Sequence, residues 1–217
     1  MKIIAFGDIH MDYQAIHQIP DLHSADLVIV TGDFTNFGGR EDAAMILEAI
    51  MEVNPRVLAL MGNLDNPSVK DFLEEKGICL HGKGIIFNDE LGIFGVGGSN
   101  ITPFNTPIEF TEEELSRLAY QGYKMVEKAP VKVFVSHTPP KDTKTDRISS
   151  GLNVGSTAIR EFIEKEQPDF CLTGHIHESR AEDKIGKTHI LNPGMLKDPG
   201  WIELIKQEDG SWLAKLN

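Results

Sequence analysis

Lys2-Ile3-Ile4-Ala5-Phe6-Gly7-Asp8-Ile9-His10 stands at the head of the chain, and its reading decides the fold. An isoleucine-rich run with no helical period reads as a buried strand. Gly7 then lets the backbone leave the strand tightly. Asp8 and His10 follow at a strand end, where side chains converge on a crevice. The same event recurs four times. Apolar runs at Leu27–Val30, 57–61, 131–135 and 170–172 lead into Gly32-Asp33, Gly62-Asn63-Leu64-Asp65, Ser136-His137 and Gly174-His175-Ile176-His177. One aspartate near one histidine means little. Five strand ends that each deliver oxygen or imidazole groups suit a divalent first-row metal, and four of the eight histidines fall in these blocks.

Helical patterns lie between the runs. Ala43, Ile46, Leu47, Ile50 and Val53 recur at helical spacing after Gly38-Gly39, and Thr111 with Glu114 forms a capping box ahead of Leu115 and Leu118. A third helix is expected over Thr157–Glu166. Residues 84–95, turning at Asn88-Asp89, and the tail 188–216 read as antiparallel strands, while 138–154, with two prolines and no period, reads as a long surface loop. The expectation is an α/β protein forming a single domain over residues 1–217, with no internal repeat or linker.

Composition narrows the function. A chain of 217 residues with 41% hydrophobic content buries a sizeable core. Its formal net charge of −12 speaks against a nucleic-acid partner, which calls for a basic footprint. Cys79 and Cys171 are far apart in apolar runs and read as reduced, buried thiols. No apolar run approaches the roughly 20 residues of a membrane span, and Met1 to Phe6 is too short for a signal segment. A cytoplasmic protein without a membrane partner is expected. Gly95-Val96-Gly97-Gly98 is no dinucleotide loop, because the residues after it run to Thr102-Pro103 rather than into a helix.

Taken in order, Asp8-x-His10, Gly32-Asp33, Gly62-Asn63-x-Asp65, His137 and Gly174-His175-x-His177 resemble the five motifs of calcineurin-like metallophosphoesterases. The Gly32-Asp33-Phe34-Thr35-Asn36 segment and Asn192-Pro193-Gly194 further resemble a small prokaryotic branch of predicted phosphoesterases related to cyclic-nucleotide phosphodiesterases. The resemblance implies a four-layer αββα sandwich with a dinuclear metal site at the strand ends. By motif, Asp8, His10, Asp33 and His177 would hold one divalent ion and Asp33, Asn63, His137 and His175 the other, Mn²⁺ first, with Fe, Ni²⁺ or Zn²⁺ as alternatives. Asp33 would bridge, and Asp33, Asn63 and His137 are the residues expected to carry catalysis. The implied reaction is hydrolysis of a small phosphate ester, a phosphodiester in preference to a monoester, by a hydroxide shared between the ions.

One residue departs from the family. Many members carry a histidine between the Asn and the Asp of the third block, thought to protonate the leaving oxygen; here it is Leu64. Leucine has no proton to give, which favours esters with good leaving groups. Leu64 also supports a rival reading, a scaffold that keeps the fold without turnover; a third reading, a nuclease, is disfavoured by the acidic balance. Asn36, Asn100 and Arg147 are candidate substrate contacts, the first two because each follows a glycine-rich or ligand-bearing turn. His17, His23 and His189 read as ordinary surface or packing residues, and His81 as a strand-end histidine that could reach the site mouth.

Overall fold

Alternation along the strands sets the layers. A computed structural model describes all of residues 1–217. In chain order its strands are β1 (Lys2–Phe6), β2 (Leu27–Val30), β3 (Val57–Ala59), β4 (Lys83–Phe87), β5 (Leu91–Val96), β6 (Ser99–Asn100), β7 (Glu109–Phe110), β8 (Val131–Ser136), β9 (Phe170–Thr173), β10 (Ala181–Ile185), β11 (Thr188–Asn192), β12 (Ile202–Lys206) and β13 (Trp212–Leu216). The helices are α1 (Arg40–Val53), α2 (Pro67–Glu75), α3 (Glu112–Val126) and α4 (Thr157–Glu166). One sheet runs β13-β12-β1-β2-β3, the other β10-β11-β9-β8-β5-β4.

Successive side chains of a strand point to opposite faces. In β1, Ile3 and Ala5 therefore join Leu27, Ile93, Val133 and Leu172 in a core between the sheets. Ile4 and Phe6 face the other way, against Ile46 and Ile50 of α1 and Phe72 of α2. On the far sheet Phe94, Phe134 and Cys171 pack under α3 and α4 through Leu115, Ile159 and Phe162. Three apolar layers between four structural ones make an αββα sandwich, as the family resemblance implied. Cys79 and Cys171 are buried and free, in the two outer cores on opposite sides of the sheet pair. No helix is long and apolar enough to cross a membrane.

Local chemistry places the helices. Thr111 caps α3, its hydroxyl accepting from Glu114 N–H at 3.3 Å while the Glu114 carboxylate accepts from Thr111 N–H at 2.8 Å. Ser156 caps α4 by accepting from Ile159 N–H, and Asn66 caps α2 ahead of Pro67 at its first position. Asn88 and Asp89 adopt φ of 50° and 57°, the left-handed pair that a tight hairpin between β4 and β5 demands.

Two expectations are corrected. The tail is not one antiparallel unit: β11 pairs in parallel with β9 and antiparallel with β10, a strand not anticipated, and only β12 and β13 form the terminal hairpin. Residues 138–154 are not simply a surface loop. Asp146 is fully buried and accepts from Thr143 N–H, Gly155 N–H and Asn153 Nδ2, knotting the segment on itself, while Asn192 of β11 donates to the Thr145 carbonyl and ties it to the sheet.

Candidate metal centre

Strand direction brings the five blocks together. β1, β2 and β3 run parallel in one sheet, and β5, β8 and β9 in the other, so the loops after β1, β2, β3, β8 and β9 meet at one end of the sandwich. The geometry there is exacting. Asp8, His10, Asp33 and His175 have φ of 49°, 48°, 48° and 66°, left-handed conformations uncommon outside glycine and tolerated only where surrounding structure holds them. Glycine supplies the remaining room: a Cβ on Gly62 would lie 2.0 Å from Asp33 Oδ1, and one on Gly32 2.4 Å from His137 Nδ1. The glycines that precede the ligand positions are thus the places where other ligand side chains pass.

Two groups of donors result. Asp8, His10, Asp33 and His177 form one, and Asp33, His137 and His175 the other, with donor atoms of each group within 4.8 Å of one another. Asn63 completes the second, its Oδ1 3.1 Å from His137 Nε2. Asp33 belongs to both. All seven residues expected to bind metal are therefore brought to one place.

Hydrogen bonds behind the cluster decide which atoms face it. His137 Nδ1 lies 2.9 Å from the Thr31 carbonyl, an acceptor only, so that nitrogen carries a proton and Nε2 is the nitrogen turned inward. Asn36 donates Nδ2–H to the His10 carbonyl, which leaves its Oδ1 to accept from His10 Nδ1 at 2.9 Å. The Nε2 lone pair of His10 then faces His177 Nε2 at 3.0 Å and Asp8 Oδ1 at 3.9 Å. His137 Nε2 likewise meets Asp33 Oδ2 at 3.4 Å. Imidazole nitrogens and carboxylate oxygens set this close need positive charge between them, from protons or from a bound cation. The residues fit divalent cations bound by nitrogen and oxygen, with the imidazole backing found in metal sites.

Protons report the same field. Burial disfavours charge on His137, but the Asp33 carboxylate, then Asp8, push it up to about 9. His175 is driven down to about 4 by burial and by the charge of His137. Asp33 is held below the usual carboxylate range: burial opposes this, and His137, His10 and His175 overcome it.

A third tier aims Asn63. Glu109 is acceptor only, so the Thr106 hydroxyl donates to its Oε1 at 2.7 Å and must accept from Asn63 Nδ2 at 3.1 Å. That polarity turns Asn63 Oδ1 toward the cluster. Asp65 takes Gly62 N–H at 2.9 Å, Thr35 N–H at 2.9 Å and Phe34 N–H at 3.2 Å, tying the second and third blocks together. Asn192 does the same on the far sheet, donating to the Ile176 and Gly174 carbonyls. Thr106 and Glu109 carried no signal in the sequence, whereas Asn192 stood in a recognised motif whose purpose is this brace.

Two cavities flank the cluster and share His177. The larger, about 780 Å³, has Asn63, His175 and His177 at its floor, with Asn100 on its wall. The smaller, about 320 Å³, lies beside His10, Asn36, Leu64 and Lys197. Of the candidate substrate contacts, Asn100 spends its side chain partly on Thr138 and Val154, and Asn36 on His10, though both line a cavity. Arg147 is exposed beside Gly151 and lines neither. His81 is buried, stacked on Phe110, and accepts from Gly97 N–H at 3.1 Å, as a packed strand-end histidine does.

Comparison with known proteins agrees with this geometry. An uncharacterized protein of Methanocaldococcus jannaschii is 38% identical over 201 residues, 89% of this chain and 88% of its own. Among solved structures, TT1561 of Thermus thermophilus superposes with a TM-score of 0.75 at 16% identity, covering 99% of this chain and 97% of that one. A dimetal phosphatase from Danio rerio does so with a TM-score of 0.65 at 12% identity, covering 100% and 95%. Both share the fold. The family model for calcineurin-like phosphoesterases matches residues 1–179. With the five blocks gathered into one donor cluster, the chain belongs to the calcineurin-like phosphoesterase family, whose chemistry is metal-dependent hydrolysis of phosphoesters.

Proposed function

We propose that this chain hydrolyses a small phosphodiester, in preference to a monoester, at two divalent ions, Mn²⁺ first among the candidates. Asp8, His10, Asp33 and His177 would hold one ion, and Asp33, Asn63, His137 and His175 the other. The observation that carries the reading is the convergence of two donor groups, Asp8, His10, Asp33 and His177 in one and Asp33, His137 and His175 in the other, that share Asp33, with Asn63 Oδ1 3.1 Å from His137 Nε2. Two divalent ions held there would supply positive charge for phosphoryl oxygens and would lower the pKa of a water toward neutrality.

The chain supplies the rest. Asp33 serves both halves, and neutral Asn63 leaves the centre attractive to an anion where a carboxylate would cancel that attraction. Cavities on both sides of the cluster support the diester preference, because a diester has two substituents to seat. Leu64 lines the smaller cavity with no proton to give, and Lys197 is the one lysine or arginine lining either cavity, so a departing oxygen there meets an ammonium rather than an imidazole.

Asp33→Asn or His175→Ala is expected to abolish hydrolysis of bis-p-nitrophenyl phosphate and to remove one or both ions while the fold survives, since these side chains serve the ions rather than the core. Metal analysis with circular dichroism on each variant checks it. Full metal content and full rate in both variants would refute the assignment.

A further inference from the structure

The larger cavity is unusual in what it lacks. Its walls carry Ile101, Phe104, Ile148, Val154 and Ile176, and apart from the floor histidines Glu178 is its one ionisable side chain. Phosphate sites ordinarily collect arginine and lysine. Here nothing but the metal centre attracts an anion, and Glu178 repels a second negative charge. Phe104 and Ile101 are 81% and 67% exposed at the mouth, large apolar side chains left in water beside a built site. The volume, about 780 Å³, falls in the range of small-molecule pockets.

We propose that the larger cavity binds the apolar, ring-bearing substituent of the substrate, making this an esterase for phosphodiesters with one aromatic or alicyclic arm. The proposal rests on the phosphoryl group binding at the metal centre. A polyphosphate or a second phosphate on that arm is excluded by the absence of any cation there and by Glu178. A bilayer is a poorer occupant, because anionic membrane surfaces recruit basic clusters and this chain carries a net charge of −12. Val154 and Asn100 are held to each other by the Asn100 Nδ2 bond to the Val154 carbonyl, so the two loops that wall the cavity are joined before any ligand arrives.

The test compares phenylphosphonate with methylphosphonate, which differ only in the apolar group, by calorimetry on protein loaded with Mn²⁺. Phenylphosphonate should bind at least about tenfold tighter, the effect expected from burying a ring. Phe104→Ser and Ile101→Ser should each remove much of that preference and leave methylphosphonate affinity and metal content unchanged; both positions are exposed, so the fold is spared. Equal affinities in wild type, or a preference untouched by both variants, overturns the proposal. So does finding that the variants instead abolish vesicle binding or a dimer. Failure of every diester to be hydrolysed, with the phenyl preference intact, would count against the hydrolase reading and leave the cavity assignment standing.

Discussion

Thr106 has a single hydroxyl hydrogen, and Glu109 takes it, which is why the Asn63 amide has only one way to sit. Thr106→Val breaks that logic. Groups behind a ligand are worth about 10 to 100-fold in metal affinity, so the half-site containing Asn63 should weaken by about that much while the half-site of Asp8, His10 and His177 keeps its affinity. Titration calorimetry resolves the two. If both fall together, Thr106 serves the loop and not the amide. Leu64 invites a different measurement. With no acid beside the departing oxygen, rates should fall steeply as the leaving group becomes more basic, and Leu64→His, next to Asp65, should flatten that slope by accelerating alkyl esters selectively. A shallow slope in wild type would mean that another group, with Lys197 first in line, already relieves the charge.

Elements carry the signals that single residues do not. His81 lies just beyond α2 and before β4, where burial holds its imidazole down to about 4, well under the usual value. The folded protein therefore keeps it neutral while the unfolded chain takes up a proton below about pH 6.5. Its contribution is complete above that pH and falls by about 1 kcal/mol per unit as pH drops toward 4. Urea melts of His81→Gln, which retains an acceptor for Gly97 N–H, should lose less stability between pH 7 and pH 5 than wild type. An identical loss would place the acid sensitivity elsewhere. The strands that lead into the blocks were legible because each is apolar on both faces and ends in glycine or serine followed by a ligand. β10 was not. Ala181-Glu182-Asp183-Lys184-Ile185 is charged because it is an edge strand, and edges are kept polar to deter pairing. The parallel pairing of β11 with β9 was illegible for another reason: alternation shows which face is buried but not which neighbour a strand chooses.

At the scale of the molecule, the αββα architecture and the cluster came from the order of five motifs, while the cavities came from loops with no period at all. Ile101, Phe104, Ile148 and Val154 are unremarkable residues until two segments of the chain set them side by side. The centre itself spans the seam: Asp8, His10, Asp33 and Asn63 come from one sheet, and His137, His175 and His177 from the other. Ions that bind only the native arrangement add about 4 kcal/mol per site at a thousandfold excess over Kd. Chelation should accordingly lower the melting midpoint of wild type by several degrees and leave that of Asp33→Asn nearly unmoved. Unchanged wild-type melting would show that the sheets hold without the ions. The seam has a further meaning for how this protein comes apart. Stripped of metal, the two halves of the centre are joined by a few hydrogen bonds, among them that from His175 N–H to Asp8 and that from His137 to the Thr31 carbonyl. Hydrogen exchange and proteolytic nicking should then start at the mouth of the sandwich and spread inward, so that ions bound for chemistry also fasten the door through which the fold would open.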